Sequence, residues 1–197
     1  MDEVDLDPDP FVTVAAWYGE AAVAGSPQPD AGVLATATPD GRPSARMVLI
    51  RGIEVGDFVV FTGIGSRKAD ELAANSRAAL VLYWQELRRQ VRIEGQIEEL
   101  ARSDVESYWR TRPRGSRLAA WSSRQSRPIG SRGQLESRYA DAGARFPEDD
   151  VPLPDWWGGF RLVPETVELW EHRENRLHDR VHYSREGERW RATRLMP

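Results

Sequence analysis

The stretch ENRLHDRVHY, residues 174–183, packs Arg176, Arg180, His178, His182, Glu174 and Asp179 into one short run. Upstream, between Glu106 and Glu136, SYWRTRPRGSRLAAWSSRQSRPIGSRGQL carries Arg110, Arg112, Arg114, Arg117, Arg124, Arg127 and Arg132 with no acid to balance them. A third segment, FTGIGSRKADEL at 61–72, ends an apolar run at two glycines and follows them with Ser66, Arg67 and Lys68. Guanidinium forks bind phosphate oxygens two at a time, and the opening turn of a helix adds free N–H groups and a positive dipole end. The three segments point to an anion, and a few forks suit one or two phosphates on a small molecule better than a duplex. The 61–72 pattern is neither GxGxxG nor a P-loop, because Lys68 stands where a third glycine would be and the Walker spacing is missing. Taken alone, it is equally an ordinary capped helix with two solvated cations.

Groups that perform covalent chemistry unaided are scarce. With no Cys there is no thiolate nucleophile, disulfide or Cys-ligated metal. The only histidines are His172, His178 and His182; none belongs to an HExxH or similar ligand set, so no metal is expected. No GxSxG nucleophile elbow occurs. Such a chain can still run redox steps if a cofactor brings the reactive atoms and the protein supplies orientation and charge.

The elements that must position these residues read as one domain over 1–197, with residues 1–8 expected to be flexible. A chain of 197 residues that is 40% hydrophobic is long enough to bury a sizeable core. Net charge −4 argues against coating nucleic acid, and no apolar run reaches the ~20 residues that span a bilayer. The acidic start MDEVDLDPDPF lacks the character of a secretion signal, so the cytoplasm is the expected compartment.

DPFVTVAAWYGEAAVAG predicts a helix with Pro10 near its start and Gly25 past its end, and AGVLATATPDGRPSARMVLIRGI predicts a hairpin about Asp40-Gly41. DFVVFTG, RAALVLYW and RRQVRIEGQIEEL read as strands, and SRKADELAANS as a helix capped by Ser66. Helices over about 103–111 and 131–145 flank the arginine-rich stretch, and GFRLVPETVELWEH, RVHYSRE and ERWRATRL form a last antiparallel set. Many strands, tight turns and no β-α-β alternation predict a mainly β fold with peripheral helices, an antiparallel barrel, and exclude a Rossmann dinucleotide site.

The order and spacing of ARMVLI at 45–50, GSRKA at 65–69, RRQVRIEG at 88–95, SYWRTRPRGS at 107–116, AAWSSRQS at 119–126, VPLPDWWGGFRL at 151–162, and Trp170 followed by RLHDR and a terminal RLMP resemble the pyridoxine/pyridoxamine 5'-phosphate oxidases. The resemblance covers about Asp9 to Pro197. It implies a homodimeric split β-barrel with FMN in the dimer interface. It also implies oxidation of pyridoxine or pyridoxamine 5'-phosphate to pyridoxal 5'-phosphate, with oxygen reoxidising the flavin to give hydrogen peroxide. Carried over position by position, Arg46, Met47, Val48, Leu49, Ile50, Arg51, Phe61, Thr62, Arg67, Lys68, Gln90, Gln125, Ser126, Trp170 and Arg180 would hold FMN. Arg51, Tyr108, Arg112 and Ser116 would meet the substrate phosphate, while Arg176, Leu177 and His178 would lie over the pyridine, with Arg176 and His178 as the catalytic pair. His172 and His182 are expected to be surface residues.

Three departures bear on the substrate. Arg51 replaces the family's usual Lys, Glu171-His172-Arg173 follow Trp170 where Gln and Gly are common, and the N-terminal arm of longer members is short or missing. The alternatives are therefore a relative that keeps FMN but oxidises another substrate, as the phenazine-pathway oxidases do, and a non-catalytic flavin or pyridoxal-phosphate binding protein.

Overall fold

The computed structural model describes residues 7–197. Helix α1 (Pro10–Val23) starts where the Asp9 side chain accepts the Phe11 N–H and Pro10 supplies a first-turn residue that needs no donor, and it ends just before Gly25 at φ 86°. Strands β1 (Ala31–Ala37) and β2 (Pro43–Leu49) pair antiparallel about the predicted turn, with Gly41 at φ 83°. Then come β3 (Phe58–Gly63), α2 (Arg67–Ala74), β4 (Arg77–Trp84), β5 (Arg89–Glu99), α3 (Arg102–Thr111), α4 (Arg114–Ser122), α5 (Arg132–Arg145), β6 (Trp157–Glu171), β7 (Asp179–Glu186) and β8 (Arg189–Arg194).

All eight strands join one antiparallel sheet ordered β2-β1-β4-β5-β6-β7-β8, with β3 paired to the first half of β6. Arg51, just past β2, bridges Val59 of β3, which closes the sheet on itself, and β7 and β8 continue beyond the second half of β6. The expected barrel with peripheral helices therefore forms. Its split lies in β6, whose 15 residues serve two partner sets. The register against β5 shifts between Glu94 and Gly95, and Pro164, which has no N–H to donate, sits at that irregularity.

Two hydrophobic clusters sit on either side of β3. Phe58 and Val60 face the barrel core with Leu34, Leu80, Ile93, Leu169 and Val181, beneath α1 residues Val14 and Trp17. Val59 faces a second cluster with Val105, Trp109, Leu118, Val151 and Trp157 under α3, α4 and α5. Burial on both faces explains why β3 is written as the unbroken run FVVF rather than as an alternation.

Two expectations are corrected. The arginine-rich stretch contains a helix, α4, that its Gly115 and Ser116 and its polar surface hide from a propensity reading; Leu118, buried in the second cluster, anchors it. Ser66 does occupy the residue before α2, but its side chain makes no cap bond and points inward. The expectation of flexibility over 1–8 lies outside the described residues except at Asp7 and Pro8, and there the Asp7 carbonyl accepts a hydrogen bond from Tyr183 Oη at 3.1 Å.

The β5–β6 irregularity makes a stability prediction. A Cβ on Gly95 would lie 2.0 Å from the Val163 carbonyl oxygen, whereas one on helical Gly143 meets nothing within 4 Å. Gly95→Ala should cost about 3 kcal/mol or more and lower the thermal midpoint by roughly 6 °C or more, while Gly143→Ala should leave it level or slightly raised. Matching midpoints for the two variants in thermal denaturation would contradict this account of the bulge.

Candidate active site

A cleft of about 610 Å³ opens where β2, β3, the start of α2, the end of α3 and the loop after α4 converge. It is lined by the predicted Arg46, Met47, Val48, Leu49, Arg51, Phe61, Thr62, Arg67, Lys68, Tyr108, Arg112, Gln125 and Ser126. Thus three separate sequence signals, the β2 strand, the α2 start and the arginine-rich segment, meet in one place.

One end is built on α2. Lys68 is only 7% exposed, yet its ammonium donates to hydroxyls, Thr62 Oγ1 at 2.8 Å and Ser66 Oγ at 3.4 Å, and not to a carboxylate. Burial, and then the charge of Arg46, push it down to about 8. Gln125 Oε1 accepts from Thr62 Oγ1 at 2.6 Å and from the Gly63 N–H at 3.0 Å, tying the loop after α4 to β3. Arg46 reaches back along the hairpin to the Leu34 carbonyl and to Thr36, Ser44 and Glu71.

Glu71 is a residue that the sequence reading passed over. It is buried on α2 and accepts from Thr36 Oγ1 and Ser44 Oγ, both at 2.5 Å, from Arg67 Nε at 2.8 Å and from Arg46 Nη2 at 3.2 Å. The hydroxyl bonds, Ser44 first and Thr36 next, hold its carboxyl down to about 2 against the opposing effect of burial. The only signal in the sequence was its i,i+4 spacing from Arg67.

The other end is aromatic and cationic. Phe61 stacks on Tyr108 with ring centroids 3.8 Å apart, and Trp157, another cleft residue absent from the sequence reading, lies parallel to Phe61 at 5.6 Å. Arg112 sits 4.5 Å from the Trp157 ring centre, and its buried Nη1 has no hydrogen-bond partner among the described residues. Burial lowers the Arg112 pKa. Arg51 donates from Nε to Tyr108 Oη at 3.0 Å and pairs through Nη1 with Asp30.

The remaining predicted residues do not line this cleft. The Ile50 side chain is buried in the barrel core, and Ser116 faces a smaller adjoining hollow of about 310 Å³ that it shares with Arg112, Phe61 and Gln125. Gln90, Trp170 and Arg180 lie side by side across β5, β6 and β7. Trp170 packs 4.7 Å from His178, whose Nδ1 accepts the Arg173 N–H at 3.1 Å, and Arg180 donates to Glu168 Oε1 at 2.9 Å. Asn175 and Arg176 both adopt left-handed φ, 56° and 62°, in the turn before Leu177 and His178. Two consecutive non-glycine residues in that region store strain of about 1–3 kcal/mol each, a feature that gathers at functional turns. His172, expected at the surface, is half-buried with its ring 5.2 Å from that of His178, and His182 is half-buried in β7.

A buried lysine facing only hydroxyls and an orphaned guanidinium nitrogen at opposite ends of one cleft fit a ligand, or a pair of ligands, with two anionic groups. Comparison with known proteins gives this a frame. Residues 19–145 match the family described as pyridoxamine 5'-phosphate oxidase, and residues 157–197 match the pyridoxine 5'-phosphate oxidase C-terminal dimerisation region. A pyridoxine/pyridoxamine 5'-phosphate oxidase of Rubrobacter xylanophilus is 53% identical over 99% of this chain and 90% of its own, and one from Burkholderia mallei is 48% identical over 100% and 93%. Among solved structures, PhzG from Burkholderia lata, in complex with tetrahydrophenazine-1-carboxylic acid, superposes with a TM-score of 0.92 at 33% identity, covering 98% of this chain and 95% of its own. With the fold, the cleft and these matches in register over nearly its whole length, the chain belongs to the pyridoxamine 5'-phosphate oxidase family.

Proposed function

We propose that the protein is an FMN-dependent oxidase that converts pyridoxine 5'-phosphate or pyridoxamine 5'-phosphate to pyridoxal 5'-phosphate, working as a homodimer. The observation that carries the reading is Lys68, a buried cation with only hydroxyl partners at the mouth of α2. FMN, when bound, supplies the hydride acceptor and the route by which oxygen becomes hydrogen peroxide. Lys68, Arg67 and Arg46 would hold its phosphate, with Glu71 fixing both arginines and Gln125 fixing Thr62 beside them. Met47, Val48 and Leu49 would bound the flavin along the β2 edge, and Ser126, at φ 68°, would offer backbone from the loop after α4.

At the opposite end Arg51, Tyr108 and Arg112 would take the substrate phosphate, and Ser116 joins them from the adjoining hollow. These donors and cations converge on one cleft, where they would stabilise charge as it shifts toward the acceptor. Arg176 and His178 would orient the pyridine, Leu177 would cover it, and Gln90, Trp170 and Arg180 would contact the flavin. Because none of these six lines the cleft of its own chain and five lie within the matched dimerisation region, they would come from the second copy. Supply across a two-fold axis makes two equal sites per dimer.

A second reading is an FMN oxidase of this family that acts on another aromatic acid. Two observations favour it: the close superposition on PhzG, and Asp30, which halves the net positive charge of the Arg51–Arg112 end. Oxygen uptake decides between them. FMN-loaded protein should consume oxygen and form peroxide with pyridoxine or pyridoxamine 5'-phosphate, and no turnover on either, with turnover on a tricyclic carboxylic acid, would favour the second reading. Bound FMN with no peroxide from any of these would reduce the protein to a binding function.

Lys68 yields two further expectations. Lys68→Met removes a charge-assisted contact of about 1.5–3 kcal/mol, so FMN affinity in a fluorescence titration should fall roughly tenfold to a hundredfold; unchanged affinity would remove the phosphate from this end. Since burial and the charge of Arg46 push the ammonium down to about 8 from its ordinary 10.5, a bound dianion should restore its proton. FMN binding should therefore take up protons above pH 8 and weaken as pH rises further. Calorimetry in buffers of different ionisation enthalpy measures that uptake, and a proton count of zero at pH 9 would contradict it.

A further inference from the structure

We propose that Asp30 is a positioning residue for substrate, acting through Arg51. The inference rests on the assignment of Arg51, Tyr108 and Arg112 to the substrate phosphate. Asp30 lies in the loop before β1, where the sequence offered no reason to single it out. Its carboxylate is 17% exposed and pairs with Arg51 Nη1, while Tyr108 Oη takes the Arg51 Nε–H at 3.0 Å. A guanidinium held at Nε and at one Nη is a rigid fork, and the Nη2 edge is the part left for a ligand.

The backbone under this pair is fixed as well. The Asp30 carbonyl accepts the Ile50 N–H at 2.8 Å, the Pro29 carbonyl accepts Trp84 Nε1 at 2.9 Å, and Arg51 exchanges two backbone bonds with Val59 at 2.8 and 3.0 Å. Asp30 is thus anchored at the end of β2 and, through Pro29, to β4, while the adjoining Arg51 is anchored to β3.

The opposite end of the cleft repeats the arrangement. There Glu71 holds Arg46 and Arg67 while Lys68 is left to hydroxyls; here Asp30 holds Arg51 while Arg112 Nη1 is left without a partner among the described residues. In both, an acid orients an arginine from another element, Glu71 on Arg46 and Asp30 on Arg51, and a second cation is left without a carboxylate partner for the ligand to meet. Asp30 costs this end some attraction for a dianion and in exchange fixes where the fork points. Orientation is the larger effect when the ligand must dock in one pose, because an unheld arginine loses several rotamers on binding.

Steady-state kinetics on pyridoxine 5'-phosphate with FMN-loaded protein tests this, with flavin absorbance and far-UV circular dichroism confirming cofactor content and folding. Asp30→Ala should raise KM about tenfold, with the loss falling on KM rather than kcat. Asp30→Asn, which keeps an oxygen acceptor for Nη1, should restore KM to within about threefold of wild type. In an Arg51→Ala background, Asp30→Ala should add nothing, since the aspartate acts only through the arginine. If Arg51→Ala itself leaves KM unchanged, the substrate phosphate is not at this end, and the functional reading falls before the aspartate is at issue. If Arg51→Ala raises KM but Asp30→Ala and Asp30→Asn share one KM, whether at, below or above wild type, or if the two losses add, the positioning role is overturned.

Discussion

The buried carboxylate of Glu71 is the interaction around which the site is organised. An ionised group out of water costs several kcal/mol unless its lone pairs are filled, and here two hydroxyls from the β1–β2 hairpin and two arginines fill them. The low value near 2 means the group stays charged throughout the neutral range and releases its hold only in strong acid. Through it α2 is bolted to the edge of the barrel, and Arg46 and Arg67 turn toward one cleft. With its neighbours committed to Glu71, Lys68 remains the cation whose charge a bound anion can use.

Much of this was legible in the sequence, for identifiable reasons. The strand alternation in AGVLATA, the Asp40-Gly41 turn and the Pro10 and Gly25 helix ends are local signals, and local structure followed them. The cleft cations were legible because arginines without acids in 107–135 and a strand-glycine-helix start carry their chemistry in their types. What escaped was set by tertiary contact. Helix α4 forms because Leu118 has a core to enter, against the propensities of Gly115 and Ser116. Ser66, placed as a cap, turns instead toward Lys68, since satisfying a buried ammonium outweighs one more helix-end bond. Asp30 could not be found by pattern, and Glu71 showed only its i,i+4 spacing from Arg67, because an acid reveals its distant partners only when the chain brings them to it.

The C-terminal group occupies a different position in the argument. Gln90, Trp170 and Arg180 form a row across three strands, and His178 and Arg176 sit on a strained turn beside them, yet the cleft of the same chain is built without any of them. The family resemblance implies that both groups serve one ligand pair; the cleft of the single chain is lined by only the first of them. The proposed shared site in a dimer would reconcile the two, and residues 157–197 match a dimerisation region.

The most direct test of that account is complementation between two impaired variants, assayed at an FMN concentration that loads the wild-type cleft but not that of Lys68→Met. Lys68→Met damages the cleft, and Arg176→Ala damages the residue supplied to it. If the site is shared, a mixed dimer carries one site with both lesions and one with neither. Refolding the two variants together should then recover about a quarter of wild-type oxygen consumption, because about half of randomly paired dimers are mixed and each has one intact site of two. Activity no higher than the mean of the separate variants would show that each chain builds its site alone, and would contradict the account.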